Sequence, residues 1–248
     1  INAELAKLNT FNLKNRFSEN DHLIVCISWT YGSGGVNIGF KLADKLKINF
    51  YDAEIFEAVL KRLEAQKDSI QDSVSYGIKP GIKKEPAHDQ DANVNPSEAF
   101  IPERHLTLRQ RMREFSRFHG LPKRDAVFFN ESDLLVDMAK KEDFVILGRC
   151  GDAIMANNNI PHISIYITAP FEQRIKRAME IDSSLTVKQA RHMLKHLDHV
   201  HSQYYHYYTN RNWGHSNNYD LCINSASYGI DGTVDFIYRM IMAREEDK

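Results

Sequence analysis

The sequence predicts a three-layer α/β domain, with a parallel sheet and helices on both of its faces. Apolar runs of strand length alternate with segments of helical periodicity along 248 residues, no internal repeat interrupts them, and the first apolar run opens directly into a glycine-rich turn. A chain of this length, 42% hydrophobic and 26% charged, buries a full core. A formal net charge of −1 provides no global attraction to nucleic acid or to an anionic membrane, so any basic site must be local.

The first strand and helix lie in His22 to Leu46, where an apolar run, the turn Tyr31-Gly-Ser-Gly-Gly35 and an amphipathic segment follow without a gap. Glycines at 32, 34 and 35 permit positive φ and turn successive N–H groups toward one point, which the following helix N-terminus reinforces with its dipole. A phosphate is the natural occupant. The usual phosphate-loop pattern closes with Lys and then Ser or Thr, and neither follows Gly34 or Gly35 here, so a glycine-rich turn with no ligand is the competing reading.

Ile48 to Asp52 is a short strand ending in an acid, and Ala53 to Ala65 has helical periodicity. Asp52 reads as a substrate or Mg²⁺-water contact, or else as a helix cap. Residues 66–103 turn polar, as a loop or lid does. Arg104 to Phe118 reads as a basic amphipathic helix; a solvated face explains its arginines better than a nucleic-acid surface, and its apolar side offers a face for a homodimer.

Glu131 to Lys140 is predicted helical. Asp143 to Gly151 is predicted to be a buried strand ending in Gly148-Arg149, which aims Arg149 at the crevice beyond the strand ends. A third buried strand, His162 to Thr168, leads through Ala169-Pro170 into a helix bearing Glu172, Arg174, Lys176 and Arg177, with Pro170 at its start. Tyr219 to Asn224 is the last strand and Gly232 to Arg244 the closing helix.

Cys26, Cys150 and Cys222 lie far apart in strand-like runs and read as small buried residues of a reducing compartment. No apolar stretch approaches the roughly 20 residues that span a bilayer, and no signal pattern opens the chain, so a cytoplasmic protein is expected. His192, His196 and His199 share one helical face, but no acid or Cys completes a ligand set, so no dedicated metal site is expected. Tyr204, Tyr205, Tyr207 and Tyr208 serve either as stacking rings or as packing of this helix on the core.

Several segments in order resemble the cytidylate kinase-like family, bacterial relatives of the nucleoside monophosphate kinases. They are Ile27-Ser28 with Tyr31 to Gly35 and Ile38-Gly39, then Phe50 to Asp52, Val145 to Arg149, and Ala169-Pro170 with Arg174. Tyr204-Tyr205, Tyr207 to Thr209, Trp213-Gly214 and Asn218 to Asn224 complete the set. The resemblance implies a P-loop kinase fold over 22–248 after an arm at 1–21, with 66–125 as a variable acceptor-side insertion and 171–215 as the lid region. It implies ATP as donor, Mg²⁺ as counter-charge and a nucleoside monophosphate or other small acceptor.

By the same resemblance Ser28, Tyr31, Gly32, Ser33, Gly34 and Gly35 bind the donor, while Asp52, Gly148, Arg149 and Asp198 bind the acceptor. Arg149, Arg174, Arg177 and Arg211, with Arg191 as a further candidate, supply charge for phosphoryl transfer. Trp29, Val36 and His201 stand where the family carries Arg or another polar residue. Losing one such contact commonly costs ~10²-fold or more in rate. These three positions favour a second expectation, a nucleotide-binding regulatory or sensor protein without turnover.

Overall fold

The computed structural model describes residues 13–52, 123–148 and 150–243. The readings at 53–122, including the basic helix and its dimer face, and the expectation for Arg149 lie outside the described residues.

Five strands, β1 (Ile24–Trp29), β2 (Asn49–Asp52), β3 (Phe144–Leu147), β4 (Ile163–Thr168) and β5 (Leu221–Asn224), form one sheet in the order β2-β3-β1-β4-β5. Every neighbouring pair is parallel. The residues of β1 and β3 are buried throughout, and those of β4 nearly so, which is why these strands read as continuous apolar runs rather than alternating ones.

The described helices are α1 (Leu13–Arg16), α2 (Gly35–Leu46), α3 (Lys123–Ala139), α4 (Gly151–Asn157), α5 (Phe171–Ile181), α6 (Val187–Thr209) and α7 (Ser225–Met242). On one face of the sheet Val25, Ile27 and Trp29 pack with Ile38 and Leu42 of α2 and with Val234, Ile237 and Ile241 of α7. On the other, Ile24, Cys26 and Ile146 meet Leu135 of α3 and Ile154 and Met155 of α4. These are the three layers expected from the sequence.

The N-terminal segment is tied down by a buried pair. Arg16 donates from both terminal nitrogens to Asp220 at 2.7 and 2.8 Å, and Nη1 also reaches His162 O at 2.8 Å. Asp220 in turn accepts from the Ser164 N–H and hydroxyl. Burial pushes the Asp220 carboxyl up, but the Arg16 hydrogen bonds and charge, with the Ser164 donors, outweigh it and hold the group below its ordinary range.

The helical hairpin α5–α6 has a small core of its own, Ile175, Ala178, Ala190 and Leu194, against which Tyr31 and Phe171 pack. Its second helix starts from a capping box: Thr186 Oγ1 accepts from the Gln189 N–H and Gln189 Oε1 accepts from the Thr186 N–H. Further along, Tyr204 and Tyr205 are buried against Cys150 and Ala153, so packing accounts for these two tyrosines, whereas Tyr207 is exposed.

Three sequence expectations need correction. The closing helix begins at Ser225, not Gly232, because Asn224 Oδ1 caps it by accepting the Ala226 N–H at 3.0 Å. Gly229, at φ 69° and ψ 177°, then breaks the first turn from the rest. Helix α3 begins at Lys123 rather than Glu131. Cys222 is exposed, unlike Cys26 and Cys150, because β5 is an edge strand whose outer side is uncovered there.

Candidate functional site

Strand β1 lies at the centre of the sheet, between β3 and β4, and the chain leaves its carboxyl end as Thr30 to Gly34 before entering α2. A parallel sheet opens its ligand crevice here, where the connections diverge to either side. Gly32 and Gly34 sit at φ 78° and 83°, in the left-handed region that glycine adopts without penalty. Among the described residues no hydrogen bond ties down the N–H groups of Gly32, Gly34 and Gly35, which leaves the donors of an anion cradle available at the start of a helix.

Ser33, between the two positive-φ glycines, is fully buried. Its N–H donates to Thr30 O at 3.0 Å, its hydroxyl to Ile167 O at 3.3 Å, and its carbonyl accepts from the Ser225 hydroxyl at 2.5 Å. Ser28 is also buried. The Ser33 hydroxyl therefore faces the protein and is not turned to the mouth of the loop.

Tyr31 is held from the hairpin. Its N–H donates to Asp198 Oδ1 at 3.1 Å, and its carbonyl accepts from Arg174 Nη1 at 3.0 Å. The same Arg174 nitrogen donates to Asp198 Oδ2 at 2.7 Å, and Arg174 Nε is buried with no partner among the described residues. Arg177 lies along the loop as well: its Nη1 donates to Gly32 O at 3.2 Å and stands 2.8 Å from where a Cβ on Gly34 would be. Two guanidinium groups thus reach the glycine loop from α5.

The indole of Trp29 crosses the floor of the crevice. A Cβ on Gly35 would lie 2.3 Å from its Cγ, and a Cβ on Gly148 would lie 3.2 Å from its Cζ3. His201 of α6 completes an aromatic group, 5.5 Å from Trp29 and 5.4 Å from Tyr31 between ring centroids, and stacks on Trp213 at 5.3 Å and 11°. At positions 29 and 201 this chain packs rings.

The acceptor-side positions fall less closely together. Gly148 follows β3 at φ 82°, and Cys150 takes φ 59°, which is uncommon for a residue with a side chain. Asp52 pairs in register with Leu147, so β3 separates it from the loop. Asp198 is engaged with Tyr31 and Arg174. Arg211 acts electrostatically on Asp152 and Tyr205, and Arg191 bonds Glu172 at 2.7 Å.

Sequence reasoning missed the polar pocket beneath this region. Tyr205 donates to Asp152 Oδ2 at 2.7 Å, and both residues are buried. Burial pushes the Asp152 carboxyl up, opposed by the Tyr205 hydrogen bond and by His162 and Arg211. A surface cavity of about 280 Å³ lined by His22, Lys47 and Asp143 lies at the amino ends of the strands, opposite the loop, and is not part of the site.

A parallel sheet with a glycine turn after its central strand, and a helical hairpin set against that turn, defines a P-loop kinase-like α/β protein. The model of the cytidylate kinase-like family matches residues 24–227, and the chain belongs to that family. No curated protein matches the sequence. An uncharacterized protein from Eubacterium ventriosum ATCC 27560 aligns with TM-score 0.59 at 22% identity, covering 89% of this chain and 98% of its own. A shikimate kinase from Bacteroides thetaiotaomicron aligns with TM-score 0.46 at 11% identity, covering 89% and 98% of the two chains. Among the described residues no helix is long and apolar enough to cross a membrane.

Proposed function

We propose that this protein binds a nucleoside triphosphate such as ATP at the Gly32–Gly35 loop and transfers its terminal phosphoryl group to a small acceptor, a nucleoside monophosphate. The observation that carries the reading is the loop: two glycines at positive φ, N–H groups without a hydrogen bond among the described residues, and the Arg177 guanidinium bonded to Gly32 O. Such a cradle fits the oxygens of a polyphosphate. Bound ATP supplies the phosphoryl group, and Mg²⁺ offsets its charge.

For the metal the protein offers little: among the described residues no group of three His, Cys, Asp or Glu side chains is arranged to hold one. An ion held mainly by phosphates and water fits that lack, since Mg²⁺ commonly takes only one or two carboxylates from a protein. The loop N–H groups orient the donor, and Arg177 contributes the permanent charge that the absent loop lysine provides elsewhere. The acceptor is assigned to the Gly148-Arg149 end of β3. Phosphoryl transfer asks the protein for position and charge rather than covalent chemistry.

A regulatory nucleotide-binding protein without turnover is the second reading, and Trp29 favours it. Its side chain occupies the volume into which a side chain at Gly35 would project, and it brings no charge to the loop. Calorimetric titration with ATP and Mg²⁺, followed by a panel of nucleoside monophosphates and an ADP-release assay, tests both. Turnover with one acceptor establishes the kinase. Binding without turnover, with activity appearing only in a Trp29→Arg, Val36→Arg, His201→Arg variant, establishes the second reading; no binding at all removes both.

A further inference from the structure

The glycine loop is divided between two supports. Its first half belongs to the hairpin: the Tyr31 ring packs on the α5–α6 core, both Tyr31 peptide groups bond Asp198 and Arg174, and Gly32 O bonds Arg177. A Cβ on Gly32 would meet the Arg174 carbonyl at 2.8 Å, so backbone packs on backbone at this point. Its second half belongs to the sheet and α7, through the Ser33 bonds to Ile167 and Ser225. The join falls between residues at positive φ on either side of Ser33.

Arg174 and Asp198 are buried and largely buried at the side chain, 8% and 21% exposed, and each uses its charge on the other. An acid and a base joined in this way, and bonded to the two faces of one peptide residue, fix a backbone orientation. We infer that Asp198 and Arg174 are positioning residues that fasten the first half of the phosphate loop to the lid hairpin, so that donor binding and hairpin placement are coupled through Tyr31. The assignment rests on the nucleotide reading above for its consequence, but not for its geometry.

Amide-resolved hydrogen exchange tests the geometry without any ligand. In Asp198→Ala, and separately in Arg174→Met, which keeps the aliphatic stem, the Tyr31 amide exchanges at least about tenfold faster, the loss of a net hydrogen bond or two. The amides of Val25 to Ile27 in β1 keep their protection. An unchanged Tyr31 amide, or equal acceleration along the whole of β1, overturns the inference, and either variant suffices if the other does not fold.

Titration with ATP and Mg²⁺ then reads the coupling. Affinity falls about tenfold in either variant while Ser33 stays protected, if the loop has lost its alignment and not its fold. Equal affinity in the wild type and in a variant with a released Tyr31 amide overturns the coupling. A wild type that binds no ATP removes the nucleotide reading and the coupling together, while the exchange result still decides whether the two residues hold the loop.

Discussion

Trp29 and Gly35 exclude each other's alternatives: a Cβ on Gly35 would lie 2.3 to 2.7 Å from three atoms of the Trp29 side chain. Gly35 opens α2, and its backbone there is not left-handed, so what requires glycine is the space that the Trp29 side chain fills from its Cβ outward. At position 35, one of the two where a loop lysine would fall, the tryptophan on β1 therefore leaves room for glycine alone. A cation at 35 needs glycine at 29, or a backbone that gives way there.

Gly35→Lys alone is expected to destabilise the protein by about 1–3 kcal/mol, as overpacking does. Trp29→Gly, which also removes the clashing Cβ, alone costs at least the roughly 3–5 kcal/mol of a Trp→Ala truncation through the cavity it leaves. The double variant is expected to be more stable than the sum of the two losses predicts, by roughly 0.5–3 kcal/mol of coupling. It is also expected to bind triphosphate more tightly than the wild type, with a steeper salt dependence. Denaturant melts of the four proteins and ATP titrations at two salt concentrations check this, and strict additivity counts against it.

Arg16→Ala is expected to cost about 3 kcal/mol at neutral pH, because it leaves Asp220 buried without its cation. The Asp220 carboxyl is held below its ordinary value in the folded protein, so its contribution is present above the unfolded value of 3.8 and is lost as pH falls through the lower folded value. The difference between variant and wild type therefore shrinks in acid. Melting both proteins at pH 7 and at about pH 3 reads the effect, and a loss independent of pH contradicts it.

Most strands were legible because burial on both faces makes a strand a plain apolar run, as in Ile24 to Trp29 and Phe144 to Leu147. The glycine loop was legible because its backbone needs residues at 32 and 34 that tolerate positive φ. What the sequence hid is pairing at a distance: Arg16 with Asp220 across 204 positions, and Arg174 with Asp198 across 24. A lone acid and a lone base carry no mark of their partner. The same holds for Trp29, since a tryptophan ending an apolar strand reads as core; the signal available was its coincidence with a glycine where a lysine is usual.

Tyr205→Phe removes the hydrogen bond to Asp152 and leaves a buried carboxylate without that donor, at a cost of about 1–3 kcal/mol. The folded Asp152 carboxyl already lies above its ordinary value, chiefly through burial, so the folded state loses stability as pH rises from 3.8 through that raised value. Loss of the Tyr205 donor raises it further and extends the decline to higher pH. The Tm difference between variant and wild type is expected to be larger at pH 8 than at pH 5; the opposite order refutes the assignment.

Ser225→Ala acts on the other half of the loop. The Ser225 hydroxyl, fully buried, bonds Ser33 O at 2.5 Å and approaches Thr168 O at 3.3 Å, so it links the turn into α7 with both the loop and the end of β4. Its removal strips Ser33 of that donor in a place where water does not substitute, at a cost of about 1–3 kcal/mol. Ser33 lies between Gly32 and Gly34, and a carbonyl released there lets the adjoining peptides turn and misaims the Gly34 and Gly35 N–H groups. Weaker ATP binding is therefore expected, as in Asp198→Ala, but with the Tyr31 amide still protected by Asp198. Exchange and titration on the two variants side by side separate the supports; if both variants release the same amides, the loop is a single rigid unit and its division at Ser33 is wrong.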